Sequence, residues 1–238
     1  MKEIIAMHGW AGDSKQWSNW IDFFQCCDWE WQIAERGYKD INPYMPKWNH
    51  DSNQLGLKRV AICHSLGSHL IDKEILHSAT HVVLVNSFSR FIPSGKESRS
   101  VTMALNRMMN LINTPHEPSM LKKFHIKAHK PNEINMESTE STLLHLSESG
   151  RLRLKHDLKL LINSCSLPTG LNTKAKVLII NSKKDHILAN QTKAKLAEDL
   201  TNHLKALPTI LNLQEEGHSI SKIKNIKKIK HWLEFDHA

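Results

Sequence analysis

Ten residues, Ala61 to Leu70 (AICHSLGSHL), place a serine, a thiol and two histidines where an apolar run gives way to an amphipathic one. Small residues stand two before and two after Ser65. This is the spacing of a G-x-S-x-G nucleophile turn in which Cys63 takes the first glycine's place and Gly67 keeps the second. In such a turn a strand ends, the chain reverses through a strained serine, and the next helix aims its N–H groups back at the reaction centre. The corresponding chemistry is acyl transfer through a covalent serine intermediate, which needs a base, an acid to orient it and donors for the developing oxyanion.

The sequence offers each of these after a strand-like run and in chain order. MHGWAGDSKQW, starting at Met7, supplies a His-Gly turn whose Trp10 N–H would join that of Leu66 as the oxyanion pair. SKKDHIL supplies Asp185 and LNLQEEGHSI supplies His218. Each alone is weak; their order Ser65, Asp185, His218, each at a strand's C-terminal end, is specific. The competitors are weaker. Cys63 would need a neighbouring base and an exposed, activated thiol, and it sits on the strand side, where residues normally point into packing. His64 adjoins Ser65, but neighbours in a tight turn diverge. His69 falls one turn into the helix, as a packing or pocket-wall residue. His125 and His129 have an i, i+4 metal spacing without a third ligand and read as surface histidines. Neither a metal site nor a cofactor is expected.

The elements that must position these groups follow from periodicity. Short apolar runs predict strands at about 3–7, 29–33, 59–63, 81–87, 175–181 and 208–213, alternating with helices near 14–25, 66–78, 190–201 and 219–233, the pattern of a mostly parallel sheet of about six strands flanked by helices. Between 81–87 and 175–181, helical periodicity at 98–112, 118–129, 138–148 and 151–163 is punctuated by Pro115, Pro118, Pro131, Gly150 and Pro168. An insertion of that size is expected to be a cap over a site. The predicted division is an α/β core of 1–89 and 171–238 with a helical cap at 90–170. Met103, Met108, Met109, Leu111 and Leu143 would wall a pocket in that cap or pack its helices together.

A chain of 238 residues suits one sizeable core. Its four cysteines (Cys26, Cys27, Cys63, Cys165) show no paired metal spacing and no disulfide framework, so a reducing, cytoplasmic setting is expected. No signal-peptide pattern or membrane-spanning run is read, and neither a membrane nor a nucleic acid is expected as partner; oligomeric state is not encoded in any pattern. The net charge of +8 is localised: residues 90–170 hold 12 Lys/Arg against 7 Asp/Glu, and 219–238 hold 5 Lys against 2 acids. That excess fits a docking face for an acidic partner, or the solvated surface of a lysine-rich chain.

Taken together, HGWAGD, CHSLGS, KKDHI and EEGHSI resemble the α/β-hydrolase superfamily over essentially the whole chain, in a version trimmed of the strands before the oxyanion strand. The HGW turn, short length, helical cap and VNSFSRFIP stretch resemble the pimeloyl-acyl-carrier-protein methyl ester carboxylesterases of biotin synthesis, particularly their cyanobacterial type. The resemblance implies a catalytic triad of Ser65, Asp185 and His218, an oxyanion hole from Trp10 and Leu66, and substrate contacts from His8, Trp10, Phe88 and Arg90. It also implies acyl carrier protein as partner, for which Lys122, Lys123, Lys127, Arg151, Arg153 and Lys155 are the candidate contacts. Three rivals remain: a generic carboxylesterase or thioesterase, a menaquinone- or phylloquinone-pathway lyase with the same triad, and a non-enzymatic relic. Such lyases carry an arginine four residues after the serine, where this chain has His69.

Overall fold

Near-continuous apolar runs, rather than alternating ones, are what a strand buried on both faces requires, and β1 (Lys2–Met7) shows the result: Ile4, Ile5, Ala6 and Met7 are all fully buried. The computed structural model describes residues 1–24, 28–50, 56–132 and 146–235. Among them β1 joins β2 (Trp29–Ala34), β3 (Lys58–His64), β4 (His81–Val85), β5 (Lys176–Ser182) and β6 (Thr209–Leu213) in one six-stranded sheet of order β2-β1-β3-β4-β5-β6, with every pairing parallel. Alternate residues feed opposite cores. Ile5, Met7, Ala61, Cys63, Val82, Leu84, Val177 and Ile179 pack on one face, while Ile4, Ala6, Val60, Ile62, Val83, Val85, Leu178 and Ile180 pack on the other.

The register decides where chemistry collects. Met7 pairs with Cys63, His64 with Val85, and Val85 with Ile180, so β1, β3, β4 and β5 end together and their following turns share one edge. Ligand sites of parallel sheets lie at that carboxyl edge.

The helices match the expected positions with physically explicable departures. The stretch 14–25 begins as a single 3-10 turn (Ser14–Trp17), capped by the Asp13 side chain on Lys15 N–H, before α1 (Ser18–Phe24). The stretch 66–78 divides into α2 (Gly67–Leu70) and α3 (Lys73–Ser78), because Asp72 leaves the helical region and caps Glu74 N–H at 2.8 Å. Beyond β4 come α4 (Lys96–Leu111), α5 (Glu117–His129) and α6 (Glu148–Asn163); α7 (Asn190–His203) and α8 (Ile223–Phe235) complete the chain. Residues 138–145 of the expected 138–148 helix, with Leu143, lie outside the described residues, as do Cys26 and Cys27. No helix among the described residues is long and apolar enough to cross a membrane.

A third core unites α4, α5 and α6 with the sheet's carboxyl edge, packing Leu105, Met120, Leu154, Leu158 and Leu161 against Trp10, Leu66 and Phe88. A buried polar hub pins α6 to the turn after β2. Asp157, fully buried, receives Arg36 Nε and Nη2 at 2.7 Å each and Tyr38 Oη at 2.7 Å. All of the Asp157 charge is therefore paired, the condition under which a buried carboxylate is tolerated.

Candidate active site

Ser65 lies between β3 and α2 with φ +53°, a left-handed backbone rare for a residue bearing a Cβ and the mark of a nucleophile turn. Its N–H donates to Val85 O at 2.8 Å, which ties the turn to β4. The small residue demanded at 67 has a direct reason: a Cβ on Gly67 would stand 2.5 Å from Met7 O and 2.7 Å from His8 O. On the other side Gly9 abuts the serine, where a Cβ would lie 3.1 Å from Ser65 Cβ. That contact brings the HGW turn beside the nucleophile. Neither the Trp10 nor the Leu66 N–H is consumed by a hydrogen bond among the described residues. The Trp10 ring is fixed by α5 and α6, its Nε1–H donating to Leu154 O at 3.0 Å and its face meeting Phe124 edge-on at 4.8 Å.

His218, in the loop between β6 and α8, is buried and lines a cavity with Ser65. Its Nδ1–H donates to Asp185 Oδ2 at 2.9 Å. Asp185 Oδ1 accepts the N–H groups of Ile187 at 2.7 Å and Leu188 at 3.1 Å. Burial works against ionisation of Asp185, yet the His218 partner and these two N–H donors outweigh it and hold the carboxyl at about 2. It is therefore an acceptor at neutral pH, and it leaves the imidazole's Nε2 as the edge able to take a proton.

The other groups of the AICHSLGSHL stretch have different fates. Cys63 is fully buried, and burial alone pushes its thiol far above the ordinary range, which removes it as a nucleophile at neutral pH. His64 has its Nε2–H on His218 O at 2.9 Å; burial first, then the nearby His218, lower it to about 3, so it stays neutral. His69 stacks on Phe88 at 5.0 Å and donates to Phe88 O at 2.9 Å. Burial lowers its pKa below the ordinary imidazole value, which favours the neutral ring.

Three of the four expected substrate contacts lie outside the cavities beside Ser65. His8 is fully buried: its Nε2 meets Glu35 Oε1 at 3.1 Å and the Arg36 N–H at 3.0 Å, so it braces the oxyanion turn from behind. Glu35 also accepts the N–H groups of Ser14 and Gly37 at 2.8 Å each; although burial opposes its charge, His8 and these donors hold it at about 2. Phe88 is fully buried against Phe91 and His69, and Arg90 is exposed; neither lines a cavity beside Ser65. Trp10 alone of the four reaches it.

Two cavities flank Ser65, with Trp10 and Phe124 between them. One, of about 620 Å³, runs between α4, α5 and α6; Leu105, Met108, Leu111, Met120, Leu158 and Leu161 wall it, and its titratable lining among the described residues is Arg107, His116, Lys123 and Lys127. The other, of about 420 Å³, mixes apolar walls (Trp17, Trp20, Val85, Ile220) with polar side chains, among them Asp13, Gln16, Lys39, His64, His125, His129, His218 and Ser219. His125 and His129 are thus cavity walls rather than surface histidines. His129 Nδ1–H donates to His125 O at 2.9 Å, and burial, Lys39 and His129 lower His125 to about 4. Among the described residues, the metal-ligating atoms that converge are those of Glu3, Glu30 and His50, on the opposite edge of the sheet, where Arg59 Nε lies 3.6 Å from Glu3 Oε2.

The six basic residues expected to face a partner are distributed unequally. Lys123 and Lys127 line the apolar cavity. Arg151 is held by Glu117 at 2.9 Å and Arg153 by Gly37 O at 2.9 Å, contacts that staple α6 to its surroundings. Lys122 and Lys155 are half-buried along α5 and α6. Arg107 and His116 joined the basic set only through the fold, since neither lies in a basic run of the sequence.

Solved structures share this architecture over nearly the whole chain. The esterase EaEST from Exiguobacterium antarcticum superposes with TM-score 0.72 at 15% identity, covering 98% of this chain and 92% of that one. A thermophilic esterase from Thermogutta terrifontis gives 0.66 at 13% identity, covering 100% and 91%, and MenH from S. aureus gives 0.61 at 11% identity, covering 100% and 95%. The fold is the α/β-hydrolase fold. No protein-family model matches the sequence, and no curated protein matches it.

Proposed function

We propose that the chain is a serine carboxylesterase. The observation that carries this reading is the left-handed Ser65 turn facing a buried His218 whose Nδ1–H is already held by an ionised Asp185. Ser65 Oγ attacks the ester carbonyl while His218 Nε2 takes its proton. Asp185 keeps the imidazole in the Nδ1–H tautomer and stabilises the imidazolium. The N–H groups of Trp10 and Leu66 receive the oxyanion. His218 then returns the proton to the departing alkoxide, and water, deprotonated by the same imidazole, releases the acid and restores Ser65.

The substrate we infer is a carrier-bound acyl ester, with the methyl ester of pimeloyl-acyl carrier protein as its specific form. An apolar cavity suits a methylene chain, and its basic lining suits an acidic carrier or the phosphate of its prosthetic arm. The test is hydrolysis of pimeloyl-carrier methyl ester beside a p-nitrophenyl ester of equal chain length, together with growth of a biotin auxotroph that lacks its own pimeloyl ester esterase. Cleavage of both esters with restored growth supports the specific reading. Cleavage of the small ester without growth leaves a carboxylesterase with another substrate.

A further inference from the structure

The end of β4 reads VNS and carries no carboxylate, yet it touches both halves of the reaction centre. Val85 O accepts the Ser65 N–H at 2.8 Å, and Ser87 Oγ donates to Ser65 O at 2.8 Å. Between them Asn86 turns the other way. Its Nδ2 donates to His218 O at 2.7 Å, to Ser182 Oγ at 2.9 Å and to Gly217 O at 3.2 Å, while its Oδ1 accepts the Ser182 N–H at 2.8 Å. The Ser182 N–H requires an oxygen and the His218 carbonyl requires a donor, so these neighbours fix the amide's orientation. Asn86 is fully buried and has φ +43°, a backbone that asparagine tolerates better than most side chains. His64 adds a second N–H to the same His218 carbonyl.

We propose that Asn86 is a positioning residue for the reaction: residues 85–87 set the backbone of the base against that of the nucleophile, independently of Asp185. Asp185 grips only the Nδ1 edge of the His218 ring, and a ring held at one edge on a loop can still swing. Clamping its own carbonyl from the ends of β4 and β3 removes that freedom and joins the clamp to the strand that holds Ser65. The inference rests on the reading of Ser65 as nucleophile and His218 as base. A misplacement of about 1 Å at such a centre costs about 100-fold in rate, which sets the scale of the effect.

Asn86→Gly keeps the φ and deletes the amide; Asn86→Asp keeps the shape and the Ser182 contact but sets a carboxylate against two carbonyls. With sites counted by a fluorophosphonate titrant, kcat per site on a p-nitrophenyl ester should fall about 100-fold in both variants with KM unchanged. Ser87→Ala should lose less. His64→Gln, which retains a side-chain N–H, should keep more kcat than His64→Phe. Undiminished kcat per site in Asn86→Gly, with the loss confined to the number of titratable sites or to KM, overturns the inference and makes Asn86 a folding residue only. Wild-type protein that takes up no titrant overturns the ester-hydrolase reading and this inference together, whereas wild-type labelling with a fully active Asn86→Gly overturns this inference alone.

Discussion

The two cavities beside Ser65 are built from different parts of the chain and differ in what they can hold. The larger is formed by α4, α5 and α6, is walled by leucine and methionine, and among the described residues has basic side chains and no acidic ones in its lining. The smaller is formed mainly by the turn after β1, α5 and the His218 loop, and is rich in histidine, with Asp13 and Lys39 ion-paired in its wall. The larger is suited to an acyl chain, which gains about 25 cal/mol for each Å² of apolar surface removed from water. The lesson is that a single serine can open on two cavities that differ in their polar side chains, and that the β1 turn and α5, through Trp10 and Phe124, stand in the lining of both.

This contrast can be broken at several points. Removing the shared serine should remove turnover on every ester: Ser65→Ala or His218→Ala is expected to lower kcat by about 10⁶-fold and Asp185→Asn by about 10⁴-fold, measured by release of p-nitrophenol. Near wild-type activity in Asp185→Asn would mean that the pair at 2.9 Å is structural. The next effect is on the apolar side. Met108→Trp should shorten the larger cavity and raise KM for eight-carbon esters by about tenfold, roughly 1.4 kcal/mol and within the worth of two buried methylenes, while acetate esters are unaffected. Parallel loss on both would show that the chain does not bind there.

The boundary depends on the anchoring of α6. Asp157→Ala would leave Arg36 partly buried without its carboxylate and is expected to cost about 3 kcal/mol of stability, read by urea unfolding; an unchanged midpoint would remove the hub from the account. The basic lining should matter less and only for charged substrates. Lys123→Glu with Lys127→Glu is expected to lower kcat/KM on an ω-carboxylated or carrier-bound ester about tenfold at low salt, fading as screening increases, with neutral esters spared. A smaller contrast is the pH response of the polar side. His64 and His125 are held at about 3 and about 4, below the ordinary imidazole value of 6.5. Between those values the unfolded chain binds protons that the folded chain does not, so stability is intact above pH 6.5 and declines as the pH falls below it. His64 alone should remove roughly 2 kcal/mol between pH 7 and pH 5, and His64→Phe should flatten that slope. Asp185 and Glu35, held at about 2, contribute in full above the ordinary carboxyl range and lose that contribution progressively as the pH falls from that range to about 2.

What the sequence disclosed divides along the same line. The four central strands were legible because both faces of each are buried, so their apolar runs are nearly unbroken, and the residues after the strand-like runs (His8 to Trp10, Ser65, Asp185, His218) could be placed at one edge. Asn86 escaped notice because its role lies in hydrogen bonds to Ser182 and to the carbonyls of Gly217 and His218, which no spacing records; an asparagine directly after VVLV, where a left-handed turn suits it, was the available signal. The two cavities were illegible for a related reason. Arg107 comes from α4 and His116 and Lys123 from the cap and body of α5, and only packing brings them to one wall. Arg151 and Arg153 show the converse, since a basic run on a helix resembles a docking face until Glu117 and Gly37 O are seen to occupy it. His8 likewise resembled a substrate contact until Glu35 was seen to hold it within the fold.

The central claim is that Ser65, activated by His218, is the attacking group. Intact-protein mass spectrometry after exposure to a fluorophosphonate tests it most directly. One adduct should form on the wild-type chain, map to Ser65, and vanish in Ser65→Ala while persisting in Cys63→Ala. An adduct that survives Ser65→Ala and disappears in Cys63→Ala would contradict it and return the chemistry to the buried thiol.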